Sequence, residues 1–297
     1  MTESRTASST AQKLGYPQDA RVLIINADDF GMCHDENEAT IEGLTRGLFT
    51  SATVLVTCPW FEEVADFARN HPSVDLGVHL TLTSEWECYK WGPVLGRGRV
   101  PSLVDDRGYL WPDVPQVYAH DRLEEAEAEL RAQIDKAVAA GIDVTHLDSH
   151  MGPLHLHADY HDIYRRLARD YRLPLRMVSR RALRQLEGMH AVLESMERDG
   201  TWYPDNFNSG GPRRVDETAE YWTTLIRELR PGVTEIYCHP ALARTELLGC
   251  ARDARQREAD FRFFTSDQAR TLIRDEGIEL VGYRKLRDAM RAAGSRS

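Results

Sequence analysis

No apolar run in this 297-residue chain approaches the length of a secretion-signal core or a membrane span, and residues 1–18 are small and polar. That leader is expected to be disordered, and no membrane-spanning helix is expected. Cysteine is scarce: Cys33, Cys58, Cys88, Cys238 and Cys250 include no C-x-x-C pair, and an odd number cannot close a disulfide framework. A reducing cytoplasm is the expected compartment. Basic charge is also short, with 37 Lys and Arg against 47 Asp and Glu, and the resulting −10 is spread along the chain. This argues against nucleic acid or an anionic membrane as partner and leaves room for a small neutral or basic ligand. Repeats, coiled-coil heptads and low-complexity tracts are missing too, and a homodimer is compatible with everything above.

What is present is organised around Arg21-Val-Leu-Ile-Ile-Asn-Ala-Asp28-Asp29-Phe-Gly31. Val22 to Ile25 lacks polar alternation and reads as a strand covered on both faces, as in a parallel sheet flanked by helices. It delivers two carboxylates to its carboxyl end. Because strand side chains alternate, Asp28 and Asp29 are expected to point to opposite faces and to take different roles. A helix N-cap is the ordinary alternative for such an Asp.

Downstream, helical and β-branched stretches alternate. Asp35–Arg46 reads as a helix stopped by Gly47, followed by a strand Ser51–Thr57, a helix Trp60–Asn70 and a strand Val74–Leu82. Residues 84–119 interrupt the rhythm with four prolines, four glycines and three of the six tryptophans, Trp86, Trp91 and Trp111. A long loop so rich in aromatics reads as an ordered insertion or lid. An amphipathic helix Asp121–Ala140 and a strand Asp143–His150 resume the alternation. Then come a helix Ala158–Tyr171, a strand near Leu175–Val178, a helix near Arg181–Glu197, a weak strand Trp202–Asn208, a helix Val215–Arg230, a strand from Gly232 to Pro240, helical stretches between Asp253 and Asp275, and a short strand Ile278–Val281. Seven or eight such units predict an α/β fold with one domain over 19–297, a single TIM-like (β/α) barrel, distorted or incomplete, with the insertion after its third strand.

Histidine carries the chemistry. His79 lies at a strand end, His146 and His150 flank Asp148, and His239 precedes Pro240. Active sites of such folds form at the carboxyl ends of the strands, so these residues are expected to converge. Two imidazoles and a carboxylate make a common three-ligand site for a divalent metal. His34, His71, His120 and His190 read as ordinary histidines, while His155, His157 and His161 are left open as candidates for the pocket rim.

Asn26-Ala-Asp28-Asp29-Phe-Gly31, Gly77-Val-His79-Leu-Thr-Leu-Thr83, Thr145-His-Leu-Asp-Ser-His150 and Cys238-His239-Pro240 together resemble the YdjC-like carbohydrate deacetylases, a family that includes chitooligosaccharide deacetylases. The resemblance implies a barrel enzyme with one divalent metal ion (magnesium, zinc, cobalt or nickel) on Asp29, His79 and His150, with Asp28 as catalytic base, His239 as general acid, and Asp148 and His146 as supporting neighbours. It implies an N-acetylated saccharide as substrate, cleaved to acetate and a free amine. The aromatic-rich insertion is expected to supply the rest of recognition, with Trp86, Trp91 or Trp111 against the apolar face of the sugar; ordinary loop packing is the alternative. Many family members continue Asp-Ser-His with further histidines and a Val-His, where this chain has Met151-Gly-Pro-Leu-His155-Leu-His157; the departure bears on substrate identity. Three other readings stand beside it: a hydrolase of another amide or ester, a non-catalytic sugar-binding relative, and a non-haem iron oxygenase, which also uses two histidines and a carboxylate but in an all-β jelly roll.

Overall fold

The computed structural model describes residues 8–178, 183–209, 211 and 213–294. Its strands are β1 (Arg21–Phe30), β2 (Ser51–Val54), β3 (Leu76–Leu80), β4 (Val144–Ser149), β5 (Asn206–Ser209), β6 (Gly232–Cys238) and β7 (Glu279–Leu280). They form one sheet in the order β4-β3-β2-β1-β6-β5, with β7 against the first residues of β1, and every strand pairing is parallel. The all-β jelly roll that an oxygenase reading requires is therefore not the fold.

Parallel strands need long crossovers, and helices supply them. In chain order they are α1 (Thr10–Lys13), α2 (His34–Arg46), α3 (Phe61–Asn70), α4 (Val114–His120), α5 (Leu123–Ala139), α6 (Pro153–Leu156), α7 (Ala158–Tyr171), α8 (Met189–Arg198), α9 (Thr218–Arg227), α10 (Thr245–Cys250), α11 (Ala254–Phe264), α12 (Asp267–Asp275) and α13 (Tyr283–Gly294). Val22, Leu23, Ile24 and Ile25 are fully buried, as the unbroken apolar run of β1 requires. Each such side chain contributes about 1.5–3 kcal/mol by leaving water.

The sheet curls into part of a barrel, and the expected strand at Leu175–Val178 shows why it is incomplete. Only residues 174–176 take part: Leu147 N–H donates to Pro174 O (3.1 Å), Arg176 N–H to Leu147 O (2.9 Å) and Leu175 N–H to Trp202 O (3.0 Å). Pro174 has no N–H to donate, which removes the rung preceding the single Leu147–Leu175 bridge beside β4. Residues 179–182, which include the first two residues of the expected helix Arg181–Glu197, lie outside the described residues; the second half of that helix is α8. No helix among the described residues is long and apolar enough to cross a membrane.

The expected disordered leader 1–18 needs correction from residue 9 onward; residues 1–7 are outside the described set. Ser9 caps α1, and the Thr10 and Ala11 amides donate to the Asp205 carboxylate at 2.7 and 3.1 Å, which ties this short helix to the start of β5. The aromatic stretch 84–119 holds a 3₁₀ turn at Pro101–Leu103 and α4. Two of its indoles bond carbonyls at hand, Trp91 Nε1 donating to Thr83 O (2.8 Å) and Trp111 Nε1 to Ser102 O (2.9 Å), while Trp86 Nε1 donates to Met32 Sδ (3.3 Å). Buried Glu129 on α5 accepts the amides of Val94 and Leu95 at 2.8 and 2.9 Å.

Where α4 hands over to α5, both carboxylate oxygens of Asp121 are buried without a partner. Burial, aided by Glu125, pushes this carboxyl up from 3.8 to about 8. Between those two values the native chain holds a proton that the unfolded chain has released, so stability falls as pH rises across that window. Asp121→Asn is expected to flatten this dependence, its thermal midpoint falling less than the wild type's between pH 5 and pH 8. Parallel midpoint curves for the two proteins would show that Asp121 is ionised in the native state.

Candidate active site

β1 ends irregularly. Ala27 pairs with Ala52 and Phe30 with Val54, so β1 carries one extra residue there, and Asp29 sits in that bulge at φ 66°. A non-glycine residue in the left-handed region costs on the order of 1–3 kcal/mol and persists only where its surroundings hold it. Gly31 follows at φ 103°, where an added Cβ would lie 3.3 Å from Leu55 O. The bulge cancels the alternation expected of Asp28 and Asp29. Both carboxylates face His79, whose Nε2 is 3.3 Å from Asp29 Oδ1 and 3.9 Å from Asp28 Oδ2. Their roles are separated by their partners instead of by opposite faces of the sheet.

Asp29, His79 and His150 come from the carboxyl ends of β1, β3 and β4, and one donor atom of each falls within 4.8 Å of the other two. His150 Nδ1 lies 3.2 Å from Asp29 Oδ1, yet that oxygen, buried and flanked by two imidazoles, has no hydrogen bond. The far side of each ring is engaged: His79 Nδ1 is 2.5 Å from Asp148 Oδ1, and His150 Nε2 is 2.9 Å from Glu85 Oε2. Carboxylates behind the rings orient them and leave the other ring nitrogen of each facing inward, available as a ligand once its proton is displaced, as metal-binding histidines require. The donor set therefore fits a divalent ion. A second set, Asp28, His79 and Asp148, is equally close. It fits less well, because Asp28 is saturated by Arg176 and the His79 nitrogen nearest Asp148 already bonds it.

Arg176 is the hub on the other side. Its two terminal nitrogens reach Asp28 Oδ2 and Oδ1 at 2.7 Å each, Nη1 also reaches Asp148 Oδ2 at 2.8 Å, and Nε reaches Glu235 Oε1 at 2.8 Å. Burial alone would raise the Asp28 carboxyl; the guanidinium outweighs it and holds Asp28 at about 2. Asn26 Nδ2 also donates to Asp28 Oδ1 (2.8 Å). Burial likewise works against charge on His79, and Asp148 overcomes it, pushing the imidazole up to about 9.

His239 stands just after β6, a third exposed, with Nε2 3.8 Å from Asp29 Oδ2. Its imidazole is held below 6.5 by burial and by Arg257, against the opposing pull of Asp29. Asp148 does not act on it, being committed to His79, Arg176 and Thr53. His146 does not join the cluster. It is buried in the space left by Gly77, stacked on Tyr283 at 3.8 Å and 7°, with Nδ1 3.0 Å from Thr145 Oγ1.

These groups line a cleft of about 480 Å³ together with Trp86, Met151, Phe207, Tyr237 and His155. Of the three tryptophans assigned to sugar binding, Trp86 lines it. Trp91 is buried edge-on against His150 at 6.0 Å, and Trp111 stacks on His120 at 4.2 Å, so neither is part of the cleft wall. His157 is on the surface, accepting the Asp159 amide at the start of α7, and His161 is buried beside Tyr164.

Sequence reasoning missed Glu85, Arg176 and Arg257. A signal existed for Arg176, a lone cation in the apolar run Leu175–Val178, and a weaker one for Glu85, two residues past the Gly77–Thr83 block. Arg257, which donates to Asp29 Oδ2 (2.8 Å) and to buried Glu36, is one of several arginines in its segment and has no such mark.

Residues 22–275 match the family model described as YdjC-like protein. A carbohydrate deacetylase of Brevibacillus brevis is 32% identical over 272 residues, covering 89% of this chain and 99% of the relative. One of Enterococcus faecalis is 34% identical over 268 residues, covering 89% and 97%. A chitooligosaccharide deacetylase of Yersinia enterocolitica is 29% identical over 269 residues, covering 89% and 96%. Among solved structures, an Enterococcus faecalis protein named for cellobiose-phosphate cleavage superposes with a TM-score of 0.76 and 32% identity, over 90% of this chain and 99% of that one.

Proposed function

The chain belongs to the YdjC-like family and is an enzyme of the carbohydrate deacetylase kind, and from that premise we propose that it hydrolyses the acetamide of an N-acetylated amino sugar or oligosaccharide with one divalent metal on Asp29, His79 and His150. The observation that carries the reading is the unbonded Asp29 Oδ1 between two inward-facing imidazole nitrogens. Two nitrogens and one oxygen rank zinc, cobalt and nickel above magnesium, which prefers oxygen ligands. A divalent ion held there would polarise the acetamide carbonyl and acidify a water.

The remaining roles fall to this chain's own groups. Asp28, ionised at neutral pH and gripped by Arg176, is placed to accept the water's proton. Its low basicity suits only a water whose acidity has been raised, since proton transfer is efficient when the two pKa values match. His239 rests neutral, so to protonate the departing amine it has to acquire a proton during turnover. Trp86 offers a ring to the apolar face of the sugar.

Acetate release from a panel of N-acetylated mono- and oligosaccharides, using metal-stripped protein reloaded with zinc, cobalt, nickel or magnesium, tests the reading. Release of acetate and amine in equal amounts is expected. Cleavage of activated acetyl esters alone, with every sugar inert, would establish a hydrolase of another class. Asp28→Asn is expected to retain metal and lose on the order of 10²-fold or more in kcat, as for other general bases. Loss of metal as complete as in Asp29→Asn would mean that Asp28 is a ligand.

A further inference from the structure

His155 lies in the wall of the catalytic cleft with nothing in the protein to bond. Its side chain is 3% exposed, and neither ring nitrogen has a hydrogen-bond partner. Buried polar atoms are nearly always satisfied, so an orphan facing a cleft calls for a partner that arrives from outside. The chain is shaped to put it there. After His150, Met151 and Gly152 both take left-handed conformations, at φ 53° and 81°, and the single turn of α6 returns residue 155 to the cleft, with its amide donating to Gly152 O at 2.9 Å. Tyr164 holds the ring edge-on at 5.3 Å and 83°. Burial, with the nearby His161 and Arg176, keeps the imidazole neutral, so it carries one donor and one acceptor. The other buried histidines with unbonded nitrogens, His146, which bonds Thr145 through Nδ1 only, and His161, lie outside the cleft.

We infer that His155 is a specificity-determining contact for the substrate, hydrogen bonding a hydroxyl group of the saccharide that bears the reacting acetamide. A hydroxyl is both donor and acceptor and so matches either tautomer of the ring. The inference rests on the deacetylase reading of this same cleft and adds to it the residue that reads the sugar.

The test uses the full chain loaded with its most active metal, an N-acetylated disaccharide and the set of its monodeoxy analogues. His155→Phe keeps the packing and removes the bond; His155→Gln keeps a donor and an acceptor. The Phe variant is expected to raise KM about tenfold with kcat within about threefold, and the Gln variant to recover most of the loss, as for a single neutral hydrogen bond that contributes to binding. One deoxy analogue is expected to lose about tenfold with the wild type and nothing further with the Phe variant, the signature of a direct pair. An unchanged KM in the Phe variant, or equal deoxy penalties in both proteins, overturns the contact while leaving the deacetylase reading intact. Should the Phe variant not fold by circular dichroism, the wild type and Trp86→Phe decide: a penalty at one deoxy position that persists in Trp86→Phe supports the contact, and its disappearance there, or no penalty at any position, overturns it. Absence of acetate release by the wild type from every sugar overturns the deacetylase reading and this inference with it.

Discussion

His79→Ala and His150→Ala are each expected to leave the chain folded and empty it of divalent metal, with a loss of metal affinity beyond the 10–100-fold typical of residues that merely orient ligands. Asp148→Asn, which removes the carboxylate behind His79, is expected to fall within that lower range. Metal content after equilibrium dialysis, measured by mass spectrometry beside a circular dichroism spectrum, reads both effects. The surrounding charge also sets a pH dependence. Asp148 and its neighbours push His79 to about 9, and Glu85 and Asp29 push His150 well up, so without metal both rings carry protons at pH 7. Metal binding has to displace them, so protons are released and apparent affinity rises with pH between 7 and 9. Calorimetry in two buffers of different ionisation enthalpy counts those protons. Unchanged metal content in both alanine variants would remove the ligand assignment, and metal uptake without proton release would remove the electrostatic argument.

Arg176→Met should be among the most destabilising single changes in the molecule. One guanidinium holds Asp28, Asp148 and Glu235, all three of them buried. Without it three carboxylates face one another with no cation, and stranding a buried charge in this way typically costs about 3–5 kcal/mol. In a chain of this size that amounts to roughly 5–8 °C in the thermal midpoint. The sign of the pH effect follows. Glu235, where burial outweighs Arg176, already stands at about 7, and removing the cation raises it and Asp28 further. The variant's native state then takes up protons that its unfolded state releases, so its deficit is expected to grow from pH 5 to pH 8. Arg176→Lys is expected to recover only part of the loss, since an ammonium cannot reach three carboxylates in the fork geometry of a guanidinium. A variant with the wild-type midpoint at both pH values would show that water replaces the guanidinium without penalty.

The residues that announce chemistry in the sequence do so because each closes a strand. Asp29, His79, His150 and His239 were readable as one site from the rule that parallel strands present their carboxyl ends together, and the structure brings them together. His146 was drawn into the same group by its spacing from His150, and there the rule fails for a simple metric reason. Four residues along a strand are about 13 Å, enough to carry a side chain from the mouth of the barrel to a buried layer beneath it, where Gly77 leaves room for the ring.

The chain by itself determined the class of fold, the place of the strands other than the one expected at Leu175–Val178, and the donor types of the site, because burial periodicity and strand-end chemistry are local properties. Tertiary structure alone decided three things. The bulge at Asp29 turned two alternating carboxylates toward one histidine, and its left-handed backbone exists only because β2 and Gly31 hold it. Arg176, far from Asp28 in sequence, became the partner that keeps that carboxylate ionised. The tryptophans were divided between cleft and packing by their partners: Trp91 and Trp111 are turned inward by bonds to carbonyls 8 and 9 residues away, while Trp86 reaches across to the Met32 sulfur, a contact between distant segments that no local pattern records.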